Sequence, residues 1–193
     1  MDLARLKLET ALDHQLAERS LPLMADDLNA TVYSSVLQQM YGFIRGWEIW
    51  ADSIKDPHFA ALITNRRRSP LLATDLAHFS SALPANRYAG PDIDKSALPA
   101  VLGAMYVIEG STLGGQYIAR HVERVLKLRP GTGDAYFRGY GELTGGMWSE
   151  FRAVVEQIST DDSDMLIEAA KLVFRDFSAW MSASNELSEG KSP

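Results

Sequence analysis

The chain of 193 residues is 46% hydrophobic and 23% charged, ordinary values for a soluble globular protein and enough length for one domain with a substantial core. Nineteen Lys and Arg against 25 Asp and Glu give a net charge of −6, a balance that argues against nucleic acid as a partner. No cysteine is present, which excludes disulfides, thiolate metal sites, iron–sulfur clusters and cysteine nucleophiles. No apolar run approaches the roughly 20 residues that a membrane helix needs. The opening Met-Asp-Leu-Ala-Arg-Leu-Lys places charges where a secretory signal would be apolar, so the expectation is a cytoplasmic protein without membrane contact.

Helical periodicity dominates. Over residues 2–20, Leu3, Leu6, Ala17 and Leu21 share one stripe, with Thr10 and His14 on the same face. Leu8, Leu12 and Leu16 form another stripe, which predicts one helix with two buried faces, closed near Pro22. A second helix is predicted over residues 31–54 with Thr31 as N-cap; Tyr33, Leu37, Met40, Ile44 and Trp47 follow helical spacing, and Val36, Phe43 and Trp50 widen the stripe. Residues 69–83 read as a shorter helix with Ser69 as cap and Pro70 at its first position, ended by Pro84. Residues 87–95, with Gly90 and Pro91, read as a loop. The longest helical run spans residues 96–128 and stops at Arg129-Pro130-Gly131-Thr132-Gly133. A short helix over 135–141, a helix from Thr144 to about residue 158 and a last helix over 165–183 complete the pattern. No repeat, strand pattern or nucleotide-binding glycine loop is present. The prediction is an all-α, single-domain helical bundle over residues 1–185 with a polar tail over 186–193.

Two groups of residues carry potential chemistry. His14 lies on an apolar stripe, with Glu18 one turn on. A carboxylate beside a metal-bound imidazole orients the ring and raises its basicity; the same pair also suits a core histidine satisfied by Glu18 or a carbonyl. The second group lies inside the longest helix: Gly110, Ser111, Gly114 and Gly115. Each helix-interior glycine costs roughly 1 kcal/mol relative to alanine. Gly110 and Gly114 form one bare strip of backbone, suited to a flat ligand, to a kink or to close helix packing. Lys7, two turns before His14, and Arg152 are cations that could meet an anionic ligand. His58, His78 and His121 read as turn, core-edge and solvent positions. Asp161, Asp162 and Asp164 lack the rest of a calcium loop, and no di-metal carboxylate motif occurs.

Taken together, Lys7–Thr10–His14–Glu18 and Gly110–Ser111–Leu113–Gly114–Gly115 resemble the heme oxygenase family, in its bacterial, Gly-Ser branch, over most of the chain. The resemblance implies that His14 is the axial iron ligand and Glu18 its partner, with Thr10 one turn before. It implies that Lys7 and Arg152 meet heme propionates and that Phe174 packs near the heme. Gly110, Ser111, Gly114 and Gly115 would form the distal wall, with Gly110, Ser111 and Gly114 serving catalysis. Two positions depart from the animal-type pattern: Ser111 stands where an Asp orders the proton-delivering water, and Trp148 stands where a basic residue is expected.

The implied reaction is oxidative cleavage of heme to biliverdin with release of carbon monoxide and iron. Heme would be substrate and cofactor, dioxygen the co-substrate. An open iron face opposite a neutral histidine suits oxygen binding, and the absence of a strong distal acid favours ring hydroxylation over O–O heterolysis. No flavin or nicotinamide motif is visible, so electrons would come from a reductase or ferredoxin. A bacterial phytochrome is a possible acceptor of the biliverdin. The competing readings are a non-catalytic heme-binding protein on the same fold and a helical interaction module without heme.

Overall fold

The computed structural model describes residues 1–189, with side chains to residue 183. Eight α-helices make up the described chain: α1 (Leu3–Glu9), α2 (Ala11–Arg19), α3 (Ala30–Asp52), α4 (Pro57–Ile63), α5 (Ser69–His78), α6 (Leu98–Leu126), α7 (Thr144–Glu156) and α8 (Ser163–Glu189). Two short 3-10 turns, Pro22–Met24 and Gly141–Leu143, join them. Among the described residues there is no strand, so the all-α expectation holds. No helix is long and apolar enough to cross a membrane among the described residues.

Helices α6 and α8 form the central pair. Their close approach depends on Gly103, where an added Cβ would lie 2.1 Å from the Leu166 carbonyl oxygen. Helix α3 carries the predicted stripe, and Tyr33, Val36, Leu37, Met40, Phe43, Ile44, Trp47 and Trp50 are all buried. It packs on α5 and α8, while α7 packs on α6. Helix α2 lies along α8 and not extensively on α6. Both therefore rest on a common floor, with His14 of α2 and Gly114 of α6 exposed, and the region between the two helices is the candidate slot.

Local chemistry fixes the helix ends. Asn29, not Thr31, caps α3, its side chain accepting from the Val32 N–H at 3.0 Å. Helix α4 begins with an Asp56 cap and Pro57; it places His58 in a first helical turn rather than in an irregular one. Ser69 is the first residue of α5 rather than its cap, and its hydroxyl donates to Glu48. Helix α5 stops at His78, well before residue 83, because Ser80 turns left-handed (φ 54°) and the Ser81 N–H closes onto the Leu76 carbonyl. Helix α6 ends the same way at Lys127 (φ 55°), three residues before Pro130. Residues 135–140 form turns rather than the expected short helix. Helix α8 continues to Glu189, past the residue-185 boundary expected from sequence; residues 190–193 of the expected tail lie outside the described residues.

The N-terminal segment differs most from expectation. It is two helices, not one, divided at Thr10. Leu6, Thr10 and Ala17 are buried as predicted, but Leu8, Leu12 and Leu16 are 77%, 67% and 47% exposed. Periodicity places these leucines on one face, but no element covers it.

Three consecutive arginines precede α5 and diverge. Arg66 bonds to Glu109 on α6 and to Glu150 and the Met147 carbonyl on α7. Arg67 bonds to Asp52 and the Glu48 carbonyl on α3. Arg68 is buried and reaches the Ile108 carbonyl and Ser111 on α6.

Candidate functional site

One wall of the slot comes from α1 and α2. Thr10 is buried at their joint, where its hydroxyl donates to the Leu6 carbonyl at 2.8 Å and lies against the Tyr106 hydroxyl of α6. One turn later His14 stands at the rim of the buried face with its side chain 53% exposed, rather than within the core. Its Nδ1 is 3.7 Å from the Glu18 carboxylate, too long for a direct hydrogen bond but close enough to bias the ring. The ring meets Phe174 of α8 edge-on, with centroids 5.4 Å apart. Among the described residues the imidazole has no hydrogen-bond partner, so Nε2 is available as a ligand. Lys7 is exposed at the end of α1 and forms no ion pair among the described residues.

The other wall is α6, which runs without interruption through its glycines. These glycines have different reasons to be there. A Cβ at Gly114 would meet nothing within 4 Å, and one at Gly110 would meet only Trp148 Cη2 at 4.0 Å. A Cβ at Gly115 would lie 2.4 Å from the Phe137 carbonyl oxygen. Gly115 is thus spent on packing the 134–139 turn against the back of α6. Trp148 closes the Gly110 end together with Tyr106, their rings 5.9 Å apart. Ser111 donates its hydroxyl proton to the Ile108 carbonyl at 2.7 Å and accepts from Arg68 at 2.8 Å. Arg152 lies on α7 with its guanidinium 3.2 Å from Glu156, a half-exposed pair one turn apart.

Behind this wall lies a buried polar network that sequence reading missed. Glu109 is 1% exposed, pairs with Arg66 and accepts from the Tyr140 hydroxyl at 2.7 Å. Burial first, then the Glu109 carboxylate, holds the Tyr140 hydroxyl above its ordinary range, so it remains a neutral donor. Glu48 accepts the Arg68 and Ser69 N–H groups at 2.8 and 2.9 Å. The available signal was Glu109 itself, an acid within an otherwise apolar stretch of the longest helix.

The arrangement suits a flat, largely apolar ligand with a metal at its centre. An imidazole free of hydrogen bonds, with a neighbouring carboxylate, provides a ligand, and a helix lacking side chains at Gly110 and Gly114 provides close backbone approach. The residues present fit a heme. Two further surface clefts, one beside Ser34 and Phe79 and one beside Arg120 and Arg138, lack histidine among their lining residues. No group of three or more acidic or histidine side chains forms a metal site among the described residues.

Comparison with known proteins agrees. The family model described as "Heme oxygenase" matches residues 2–183. A heme oxygenase of Xanthomonas campestris pv. campestris (strain 8004) is 34% identical over 136 residues, which is 67% of this chain and 75% of that one. Among solved structures, heme oxygenase from Leptospira interrogans superposes with a TM-score of 0.77 at 20% identity, covering 95% of this chain and 100% of that one. Heme oxygenase from Neisseria meningitidis, solved with NO and CO bound, gives 0.72 at 18% identity, with 93% and 89% covered. Heme oxygenase 2 from Chlamydomonas reinhardtii, solved without heme, gives 0.73 at 18%, with 94% and 96% covered. With the family model matched over residues 2–183, and a histidine free of hydrogen bonds on α2 beside a long helix with open glycines, this chain belongs to the heme oxygenase family.

Proposed function

We propose that the protein cleaves heme to biliverdin, releasing carbon monoxide and iron, with dioxygen as co-substrate and electrons from a separate reductase or ferredoxin. The observation that carries this reading is the combination of a ligand-ready His14 with the open backbone at Gly110 and Gly114. Heme, when bound, would supply both the iron that activates oxygen and the ring that is cleaved.

The chain's own residues have separable tasks. His14 would ligate through Nε2, while Glu18 beside Nδ1 selects the tautomer and Phe174 limits ring rotation. Lys7 would meet a propionate; Arg152 would do the same by exchanging its exposed contact to Glu156, which is worth at most about 1 kcal/mol. Gly110 and Gly114 let the backbone come down onto the ring, and Trp148 covers the Gly110 end in place of a cation. Ser111 has one acceptor lone pair left after its two bonds, enough to orient a water on the distal side. Biliverdin would then leave for an acceptor in the cytoplasm, such as a bacterial phytochrome.

The test is incubation of the purified protein with hemin, a reducing system and oxygen, followed by absorption spectroscopy. A biliverdin spectrum with loss of the heme bands supports the reading. Heme bound but intact throughout points to a non-catalytic heme binder, and no Soret shift at all points to a helical module without heme.

A further inference from the structure

A buried cation lies behind the distal wall without a direct ion pair, in the field of Glu109 and Glu48, which it shares with other donors. Arg68 is 1% exposed, and its Nη2 donates to the Ile108 carbonyl at 2.6 Å and to Ser111 Oγ at 2.8 Å. The guanidinium carbon sits 4.7 Å from the centre of the Tyr136 ring. No carboxylate among the described residues forms an ion pair with it, and its Nε has no hydrogen-bond partner. The nearby acids are committed elsewhere: Glu109 to Arg66, and Glu48 to the backbone and hydroxyl of Ser69. Burying an incompletely paired guanidinium is unfavourable in general. A stabilising core residue would not need that charge; a site that uses a positive field would.

Geometry places the field at the slot. Ser111 is adjacent to Gly110 and one turn from Gly114 on α6, so Arg68 touches the distal wall between the two open glycines, while the neighbouring Thr112 hydroxyl is buried and donates to the Glu109 carbonyl. Arg68 occupies one lone pair of Ser111 Oγ, and the Ile108 carbonyl takes the proton. Ser111 is left as an acceptor with a fixed rotamer, polarised by the cation behind it.

We propose that Arg68 is a positioning residue of the distal side: it holds Ser111 Oγ as an acceptor, so that a water giving one proton to that oxygen turns its other proton, and with it a positive field, to the ligand face of the slot. This rests on the heme reading above. In a site of low dielectric such a field is only weakly screened. A positive field at the distal oxygen of bound carbon monoxide strengthens back-donation and lowers the C–O stretching frequency.

The test uses the ferrous carbon monoxide complex of the holoprotein, read by infrared spectroscopy. Arg68→Met should raise the C–O frequency, and Arg68→Lys should return it most of the way towards wild type. Ser111→Ala should move it in the same direction as Arg68→Met, and the double variant should shift by less than the sum of the two. A frequency unchanged in Arg68→Met, with the Soret band of the wild-type complex retained, overturns the proposal and leaves the heme reading intact. Ser111 is on the helix surface, so an unshifted Ser111→Ala spectrum overturns it even where Arg68→Met is too unstable to purify. A wild-type chain that takes up no heme overturns both.

Discussion

The two walls of the slot are built on opposite plans. The proximal wall is two short helices divided at Thr10, held mainly through α8, with His14 and three leucines exposed. The distal wall is 29 residues of uninterrupted helix, backed by buried Glu109, Arg66, Arg68 and Tyr140. The first wall offers an available imidazole on short helices held by surface ion pairs. The second offers no ligand but a surface whose shape is heavily specified from behind. In this molecule affinity and shape are therefore assigned to different elements, and substitutions should separate them.

The strongest separation is expected on the distal side. Glu109→Ala strips a buried arginine of its buried partner and should destabilise the fold by about 3–5 kcal/mol, read by urea unfolding of the heme-free protein. On the proximal side, His14→Ala should leave stability within about 0.5 kcal/mol but weaken ferric heme binding by more than about 100-fold, since even partners of metal ligands are worth 10–100-fold. A titration followed at the Soret band decides it, and unaltered binding would break the assignment of the ligand to α2.

The glycines sharpen the contrast within one helix. Gly114→Ala should stabilise the heme-free protein by about 1 kcal/mol, because nothing occupies the space and helix propensity improves. Gly115→Ala should destabilise it by about 1–3 kcal/mol through its clash with the Phe137 carbonyl. Melting temperatures that move in the same direction would contradict the division into open and packed glycines.

A smaller effect lies in the turn behind α6. Burial, then the neighbouring Glu123, raises the Asp134 carboxyl from 3.8 to about 6. The folded state thus holds this proton more tightly than the unfolded state, and the contribution to stability is full below about pH 4 and lost as pH rises towards 6. Glu123 is shifted downward, its bonds with Asp134 and Arg138 outweighing burial, and works in the opposite sense at lower pH. Asp134→Asn should gain stability relative to wild type between pH 4 and 6, measured by thermal melts across that range. The smallest effect is expected for Leu12→Gln, within about 0.5 kcal/mol, because that leucine is two-thirds exposed.

Much of the architecture was legible because long helices advertise themselves. The α3 stripe and the extent of α6 follow directly from apolar spacing and from the Arg129–Gly133 breaker. The grouping of Lys7, Thr10, His14 and Glu18 on neighbouring turns was also legible, since 3.6-residue periodicity fixes it. Periodicity does not reveal what covers a face: the spacing of Leu8, Leu12 and Leu16 predicts a buried face, and the structure leaves it exposed. Nor does it reveal what a glycine faces: Gly114 and Gly115 are adjacent in sequence, but one meets open space and the other a neighbouring carbonyl. The break at Thr10 carries no Gly or Pro signal; there the buried hydroxyl turns back onto the Leu6 carbonyl. The roles of Arg66 and Arg68 carry no local signal, because their α6 partners, Glu109 and Ser111, each lie 43 residues away.

That arginine triplet has a mechanical consequence. Its three guanidiniums fasten one short turn to α3, α6 and α7 at once, like a rivet through three plates. The helices α1 and α2 are held differently, by surface ion pairs to α8 such as Arg175–Asp13 and Arg5–Asp164, so salt would loosen that side of the molecule before it loosened the riveted one.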